Sequence, residues 1–203
     1  MHPNPAYRNV EAARNLAFAR DEGFGVLTMA GAEGPLVSHL PFLVNEAGDR
    51  LSVHIVKSNP IWKALRDGPL EAVMIVSGPH GYISPDWYGA EDQVPTWNYV
   101  AVHLRGQARL LADDEMRAHL DALATQFEAR LAPKPAWRSE KMDQDALARM
   151  MRMLAPVEMI VADVQGTWKL NQNKPEEVRL SAAKAVEGED NAALAALMRD
   201  PPA

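Results

Sequence analysis

The stretch QVPTWNYVAVHLRGQARLL, residues 93–111, changes character partway along. Its second half alternates apolar and polar residues, the period-two pattern of a half-buried strand. The apolar residues of that half that fall on one face are Val100, Val102, Leu104, Ala108 and Leu110. Its front end is unusual, because Trp97 and Tyr99 flank an amide, Asn98, directly after a proline-containing loop. An ordinary strand does not require two large aromatic residues at its start, so this start is a candidate binding or contact surface.

The composition is typical of one soluble globular domain. The chain has 203 residues, 47% hydrophobic and 24% charged, and it contains no cysteine. Without cysteine there are no disulfides, thiol nucleophiles or thiolate metal sites. We find neither a signal peptide nor an apolar run of about 18 residues, and we therefore expect a cytoplasmic protein without a membrane span.

The charge of the chain argues against a nucleic-acid surface. The formal net charge is −6, and the 21 basic residues are spread along the chain. Because neutralising phosphates dominates affinity for nucleic acids, a DNA-binding face is usually basic. Direct binding to DNA stays an alternative that the charge does not support.

Around the opening stretch, short runs of period two alternate with turn residues. They occur in FGVLTMAG, LVSHLPFLVN, RLSVHIV, LEAVMIVSG and PVEMIVADVQGTWKL. Short strands joined by tight turns predict an antiparallel meander that closes into a barrel. Helices are predicted over 10–22, 60–67, 113–131 and 143–153, and in an alanine-rich tail from about residue 175. Residues 79–95 are interpreted as a long, aromatic-rich loop, a kind of segment that is often functional.

The segment HIVKSNPIWKAL, residues 54–65, is a candidate phosphate site. Asn59 or Ser58 can cap a helix that starts at Pro60. Lys57 precedes that helix, and free amides, the helix dipole and a lysine together attract phosphate. The alternative is a capped helix with an exposed lysine.

The aromatic start of the opening strand allows two interpretations. Trp97 and Tyr99 supply apolar surface for a flat heteroaromatic ligand, and Asn98 both donates and accepts hydrogen bonds. Alternatively, the aromatic residues plug a barrel end or pack at a subunit interface. The two interpretations are compatible, since a ligand held between subunits uses both.

The segment TWKLNQNK, residues 167–174, follows a predicted strand and is the third candidate. Its lysines and amides, among them Lys169, Gln172 and Asn173, suit a phosphate or a carbonyl-rich ring. A polar turn without a ligand is the alternative.

The histidines do not form a metal-binding pattern. His39 and His54 lie in predicted strands, His80 in the predicted loop and His103 in the opening strand, without H-x-H or HExxH spacing. We therefore predict no metal site. His39 shares a face with Val37 and is interpreted as a hydrogen-bonded core or cleft histidine. GxSxG, GxGxxG and Walker motifs are also missing, and no catalytic residue is assigned.

Five of these segments occur in an order that resembles a known family. They are SHLPF (38–42), KSNPIWK (57–63), GPHGYISPDWY (78–88), VPTWNYVAVHLRG (94–106) and KLNQNK (169–174). Together they closely resemble the PaiB-like FMN-binding negative transcriptional regulators, from about residue 1 to 180.

The resemblance implies a mainly β fold with flanking helices, an antiparallel split β-barrel of the α+β class related to pyridoxamine-phosphate-oxidase-like flavoproteins. It implies an FMN-binding domain over residues 1–180, with 181–203 as a helical C-terminal tail. It also implies a homodimer that holds FMN in clefts between the subunits.

The implied FMN-binding residues come from several of the quoted segments. They are Thr28, His39, His54, Lys57, Ser58, Asn59, Trp62, Trp97, Asn98, Tyr99, Lys169, Gln172 and Asn173. The implied function is negative regulation of transcription, although we find no helix-turn-helix and no basic stripe. The alternatives are an FMN-dependent oxidoreductase that acts on a small molecule with NAD(P)H, and a flavin-binding module without turnover.

Overall fold

The protein, described here over residues 1–202 by a computed structural model, contains seven strands and six helices in that range. The strands are β1 (Phe24–Gly31), β2 (Gly34–Pro41), β3 (Leu43–Val44), β4 (Arg50–Val56), β5 (Leu70–Ile83), β6 (Thr96–Leu110) and β7 (Leu154–Lys169). The helices are α1 (Ala12–Glu22), α2 (Pro60–Leu65), α3 (Met116–Ala129), α4 (Gln144–Met151), α5 (Glu176–Gly188) and α6 (Ala192–Arg199). Short 3₁₀ turns occupy Pro5–Tyr7, Pro85–Tyr88, Asp113–Glu115 and Ser139–Lys141.

The strands form one antiparallel sheet in the order β2-β1-β5-β6-β7-β4-β3. Strands β1 and β2 make a hairpin in which Phe24 pairs with Pro41 and Gly31 with Gly34. At the other end of the sheet β4 pairs with both β3 and β7. Strand β2 also packs close to β4, so the two edges of the sheet approach each other. This confirms the predicted α+β fold of the antiparallel split-barrel type.

The chain divides into two compact units. Unit 1 comprises Met1–Glu22, Val76–His103 and the chain from Val164 onward, and unit 2 comprises Gly23–Ile75 and Leu104–Asp163. Each of the long strands β5, β6 and β7 is divided between the two units.

Alternation of buried and partly exposed residues along β4 contributes to the core of unit 2. In β4, Leu51, Val53 and Ile55 are buried, whereas the residues between them are only partly covered. Because successive side chains of a strand point to opposite faces, this pattern sends one face into the core. Helices α2 and α3 add Ile61 and Leu123 to the buried set.

The core of unit 1 is organised around Trp168, which is 1% exposed. Its indole Nε1–H donates to Oδ1 of Asn15 over 2.8 Å, and the Asn15 amide donates to the carbonyl of Val10 over 3.1 Å. Gly166 is required beside this bond, since a Cβ there would lie 2.1 Å from Asn15 Oδ1. Helices α5 and α6 pack on the same core through buried residues that include Ala182, Val186, Leu194 and Met198.

Several predicted boundaries were wrong. Strand β5 continues to Ile83, so His80 lies in a strand and not in a loop. The period-two pattern did not reveal this extension, because Gly78, Pro79 and Gly81 interrupt the apolar alternation. The predicted helix over 113–131 starts at Met116, after a 3₁₀ turn. The predicted helical tail is confirmed as α5 and α6, while the domain boundary at residue 180 stays a prediction.

None of the helices among residues 1–202 has the length and apolar composition needed to cross a membrane.

Candidate functional site

The start of β6 presents different residues on its two faces. Trp97 is 55% exposed, whereas Asn98 is fully buried and lies on the same face as Val100 and Val102. Tyr99 is partly exposed on the Trp97 face. A strand places neighbouring side chains on opposite faces, so Trp97 and Asn98 cannot contact one flat ligand from the same side. The sequence-based expectation that these three residues form one binding wall is therefore corrected.

Trp97 belongs to an exposed aromatic patch, which we define as His80, Tyr82 and Trp97. The ring centroids of His80 and Tyr82 each lie 6.3 Å from that of Trp97, and the Tyr82 ring meets it edge-on. His80 and Tyr82 alternate along β5 and share a face, whereas the sequence-based interpretation placed them in a loop. Their spacing of two residues was the available signal for a strand.

The side chain of Asn98 is a buried amide without a partner. Among residues 1–202, neither its Oδ1 nor its Nδ2 forms a hydrogen bond. A buried polar group left in this state costs about 1–3 kcal/mol. The amide offers one acceptor and two donor hydrogens, but a ligand reaches it only if the surrounding side chains move.

Three of the five quoted sequence segments converge in unit 1. Lys169 Nζ donates to Thr96 Oγ1 over 2.6 Å, which joins β7 to the start of β6. The side chain of Asn171 lies within hydrogen-bonding distance of the buried hydroxyl of Tyr88. Lys174 Nζ donates to Gln93 and sits 4.4 Å from the centroid of the Tyr88 ring. Residues far apart in sequence thus form one cluster.

Within this cluster the turn after β7 uses part of its own polar set. Gln172 accepts from the backbone N–H of Leu170 over 2.8 Å and donates to the carbonyl of Trp168. Its amide therefore stabilises the turn itself, which agrees with the alternative interpretation of this segment as a polar turn without a ligand. Asn173 is exposed, and burial lowers the pKa of Lys169.

The other two segments meet in unit 2. Asn59 caps α2, where Pro60 is the first residue, by accepting from Ile61 N–H over 2.8 Å. Its Nδ2 donates to Ser38 Oγ over 3.2 Å, so the amide is used at both ends. The predicted cap is confirmed, and Ser58 beside it is exposed.

Lys57 has an acidic partner that the sequence did not indicate. Its Nζ lies 2.7 Å from Oδ2 of Asp113, and the Lys57 side chain is 28% exposed. Asp113 follows β6 by a few residues, and only the tertiary fold brings it to Lys57. A phosphate at Lys57 would compete with this carboxylate.

Three other residues of unit 2 were predicted to bind FMN, namely His39, Thr28 and Trp62, and they differ in exposure and in their neighbours. His39 is exposed and Val37 on the same face is 55% exposed, so the interpretation of His39 as a core or cleft histidine of this chain is wrong. Thr28 is partly buried and lines a cavity of about 460 Å³ with Arg105. The guanidinium of Arg66 lies 5.2 Å from the centroid of the Trp62 ring.

His54 pairs with a histidine that the sequence-based prediction missed. Its Nδ1 lies 3.1 Å from Nε2 of His119 on α3, and the two rings meet edge-on. Burial lowers the pKa of both histidines, and the nearby His54 lowers that of His119 further, to about 4. One ring donates to the other only while the pair carries at most one extra proton, so the contact requires at least one neutral ring.

A known relative covers almost the entire chain. Protease synthase and sporulation protein PAI 2 of Bacillus subtilis is 29% identical over 190 residues, which are 92% of this chain and 90% of the relative.

Solved structures share the fold at low sequence identity. The FAD and heme binding protein of Mycobacterium smegmatis superposes with a TM-score of 0.57 at 17% identity, covering 80% of this chain and 73% of its own. The flavocytochrome Anf3 of Azotobacter vinelandii gives a TM-score of 0.54 at 17% identity, covering 83% and 72%. At these identities the likeness supports the architecture alone.

The histidine pair predicts a loss of stability in acid. Its folded-state pKa values lie below the unfolded value of about 6.5, so the unfolded chain binds more protons once the pH falls below that value. Stability that is present at neutral pH should therefore be lost as the pH falls from about 6.5 to about 4. Urea unfolding measures the free energy of unfolding across this range. We expect His119→Gln to remove on the order of 3 kcal/mol of its change with pH.

His39→Gln is the matched control, because it removes an exposed histidine and leaves the His54–His119 pair in place. If His119→Gln unfolds with the same pH dependence as the unmodified protein, the pair is not the origin of the acid sensitivity.

The part of the chain that matches a known family includes the start of β6, the cap of α2 and the aromatic patch. Residues 1–163 match the model of the family described as "Putative FMN-binding domain". This is well over half of the chain, and it includes four of the five quoted segments, all except KLNQNK. The chain therefore belongs to this FMN-binding domain family, and its cofactor is FMN.

Proposed function

We propose that this protein is a negative transcriptional regulator of the PaiB type that holds FMN as a homodimer. The proposal is supported by the family, by the five segments and by the relative named "Protease synthase and sporulation protein PAI 2", which matches over nine-tenths of both chains. When bound, FMN supplies electron or hydride transfer, and the protein supplies binding and orientation.

The exposed aromatic patch is the observation that carries the proposal of a partner surface. Trp97 and Tyr82 are 55% and 47% exposed, and Val94, just before β6, is 72% exposed. Each large aromatic residue buries about 150–250 Å² when it is covered, so leaving several exposed side by side forgoes much favourable burial. A second copy of the chain against this face, with the flavin ring retained beside Trp97, accounts for the exposure.

The chemistry near Lys57 fits the phosphate of FMN. An ammonium group and the exposed Ser58 hydroxyl are donors to a phosphate, and charge-assisted hydrogen bonds of this kind are about twice as strong as neutral ones. Asn59 contributes by holding the first turn of α2 in place. Asp113 pairs with Lys57 and opposes a phosphate at this position by its charge.

One observation favours the alternative of an FMN-dependent oxidoreductase. Many basic side chains are already paired with acidic ones, including Arg50 and Arg109 with Glu158, and Arg199 with Glu187. Paired cations in a chain of net charge −6 provide little attraction for DNA phosphates. Chemistry on a small molecule needs no such surface, since the flavin supplies the redox step.

The two functions are distinguished with one FMN-loaded preparation. For a regulator, we expect salt-sensitive binding to DNA from upstream of its own gene, measured by fluorescence anisotropy. We also expect the flavin absorbance to persist when NADH or NADPH is added without oxygen. Rapid bleaching together with no DNA binding would instead establish the oxidoreductase.

The phosphate assignment predicts opposite effects for two neighbouring variants. Lys57→Ala should weaken FMN about tenfold while leaving riboflavin, which lacks the phosphate, nearly unchanged. Asp113→Asn should strengthen FMN binding, because it frees Lys57 and removes a competing charge. Isothermal titration with both flavins measures these effects, and equal losses for FMN and riboflavin in Lys57→Ala would exclude the assignment.

The partner surface predicts a linked loss of dimer and flavin. Trp97→Ala should raise the dimer dissociation constant at least about tenfold and accelerate FMN release. Trp137→Ala is the matched control, since Trp137 is also exposed, at 38%, but lies outside the aromatic patch. Analytical ultracentrifugation and flavin fluorescence report the two quantities, and an unchanged dimer with normal FMN retention would mean that Trp97 packs only locally.

A further inference from the structure

A cavity of about 380 Å³ lies in unit 1 at the turn between α5 and α6. We call it the hairpin cavity, and its lining residues are Gly81, Tyr82, Trp87, Val186, Glu189 and Asn191. The first three belong to the region that matches the family, whereas the last three follow it. The helical hairpin formed by α5 and α6 therefore completes the cavity.

Hydrogen bonds hold the hairpin against the rest of unit 1. Ser181 Oγ donates to the carbonyl of Trp87 over 2.8 Å, and Asn191 Nδ2 donates to the carbonyl of His80 over 2.9 Å. Arg179 binds the last carbonyls of α6, including that of Arg199 over 2.7 Å. The walls of the cavity are thus fixed on both sides of the α5–α6 turn.

Gly81 allows the close approach of the hairpin to β5. A Cβ at this position would lie 3.1 Å from both Asn191 Nδ2 and Leu194 Cδ2. Such contacts are tighter than ordinary van der Waals packing, so a side chain at this position would require Asn191 and Leu194 to shift by a few tenths of an ångström.

The lining combines two aromatic rings with one carboxylate. Tyr82 and Trp87 provide ring surface, and Glu189 is the only charged residue among the lining residues. The amide of Asn191 is already used, since it donates to His80 and accepts from Leu194 N–H. Aromatic faces attract cations, most strongly at Trp, and aromatic cages recognise quaternary ammonium groups in this way.

The charge of Glu189 is available to a ligand. Within residues 1–202 Glu189 forms no salt bridge, whereas Glu187, near the end of α5, is paired with Arg199. An uncompensated carboxylate repels an anion such as the phosphate of FMN and attracts a cation. The cavity volume lies near the lower end of the range for ligand sites, about 300–1,000 Å³, which limits the ligand to a small molecule.

We propose that the hairpin cavity binds a small organic cation, with a quaternary ammonium or alkylammonium group against Tyr82 and Trp87 and its charge facing Glu189. The cavity shares Tyr82 with the aromatic patch, whereas its contacts through Trp87 and Glu189 do not involve FMN. It gives the C-terminal helical hairpin a role as one wall of a ligand site.

Choline and its uncharged carbon isostere, dimethylbutanol, are the probes. The indole N–H resonances of the FMN-loaded protein are followed by NMR at constant ionic strength, and Trp87→Phe identifies the signal of Trp87 among the five tryptophans. We expect choline to shift the Trp87 signal in a saturable manner and to bind at least about tenfold more tightly than the isostere.

Two variants separate charge from ring contact. Glu189→Gln should weaken choline about tenfold and leave the isostere unchanged, whereas Tyr82→Leu should weaken both. Glu177→Gln is the matched control, because Glu177 is an exposed acid at the start of α5 and does not line the cavity. Circular dichroism confirms that each variant is folded.

Three outcomes would overturn the proposal: no saturable shift of Trp87 with choline, equal binding of choline and the isostere, or equal effects of Glu189→Gln and Glu177→Gln. FMN content and dimer mass, measured on the same samples, keep a failure here distinct from a failure of the proposed function.

Discussion

The alternation of buried and exposed side chains along β6 determines which residues of this strand join the core and which remain at the surface. One face of this strand buries Asn98, Val100, Val102 and Leu104, and the other leaves Trp97 and part of Tyr99 uncovered. The strand lies at the centre of the sheet order, between β5 and β7. A shift of its register by one residue would bury Trp97 and expose the apolar series, so the core fixes which side chains remain at the surface.

In each unit, some polar side chains stabilise turns, and neighbouring polar side chains remain exposed. Asn59 and Gln172 support the turns next to Ser58 and Asn173, which remain exposed. Lys57 and Lys169 have neighbouring oxygen partners on Asp113 and Thr96. A ligand that binds these lysines has to replace or share contacts that already exist, so its affinity is a difference between two sets of interactions.

The C-terminal hairpin contributes to the core and to the surface at once. Its small and apolar residues pack with Tyr88 and Trp168, and its polar turn reaches the carbonyl of His80. The core of unit 1 is therefore completed by residues that follow the region matching the family. The same packing brings Glu189 and Trp87 to one cavity. The hairpin therefore both stabilises unit 1 and completes the hairpin cavity.

Local sequence patterns were enough to predict the elements whose cause is local. Alternating residues predicted most strands, Asn59 followed by Pro60 predicted the start of α2, and five ordered segments predicted the family and its cofactor. The extension of β5 through His80 and Tyr82 was missed, because two glycines and a proline hide the alternation in that segment. The long-range partners of several predicted residues depend instead on tertiary packing. The contacts His54–His119, Lys57–Asp113 and Trp168–Asn15 join positions that are 65, 56 and 153 residues apart. No local pattern encodes such pairs, because they arise from how the sheet and helices pack, and packing also decided that Asn98 is buried while Trp97 is exposed.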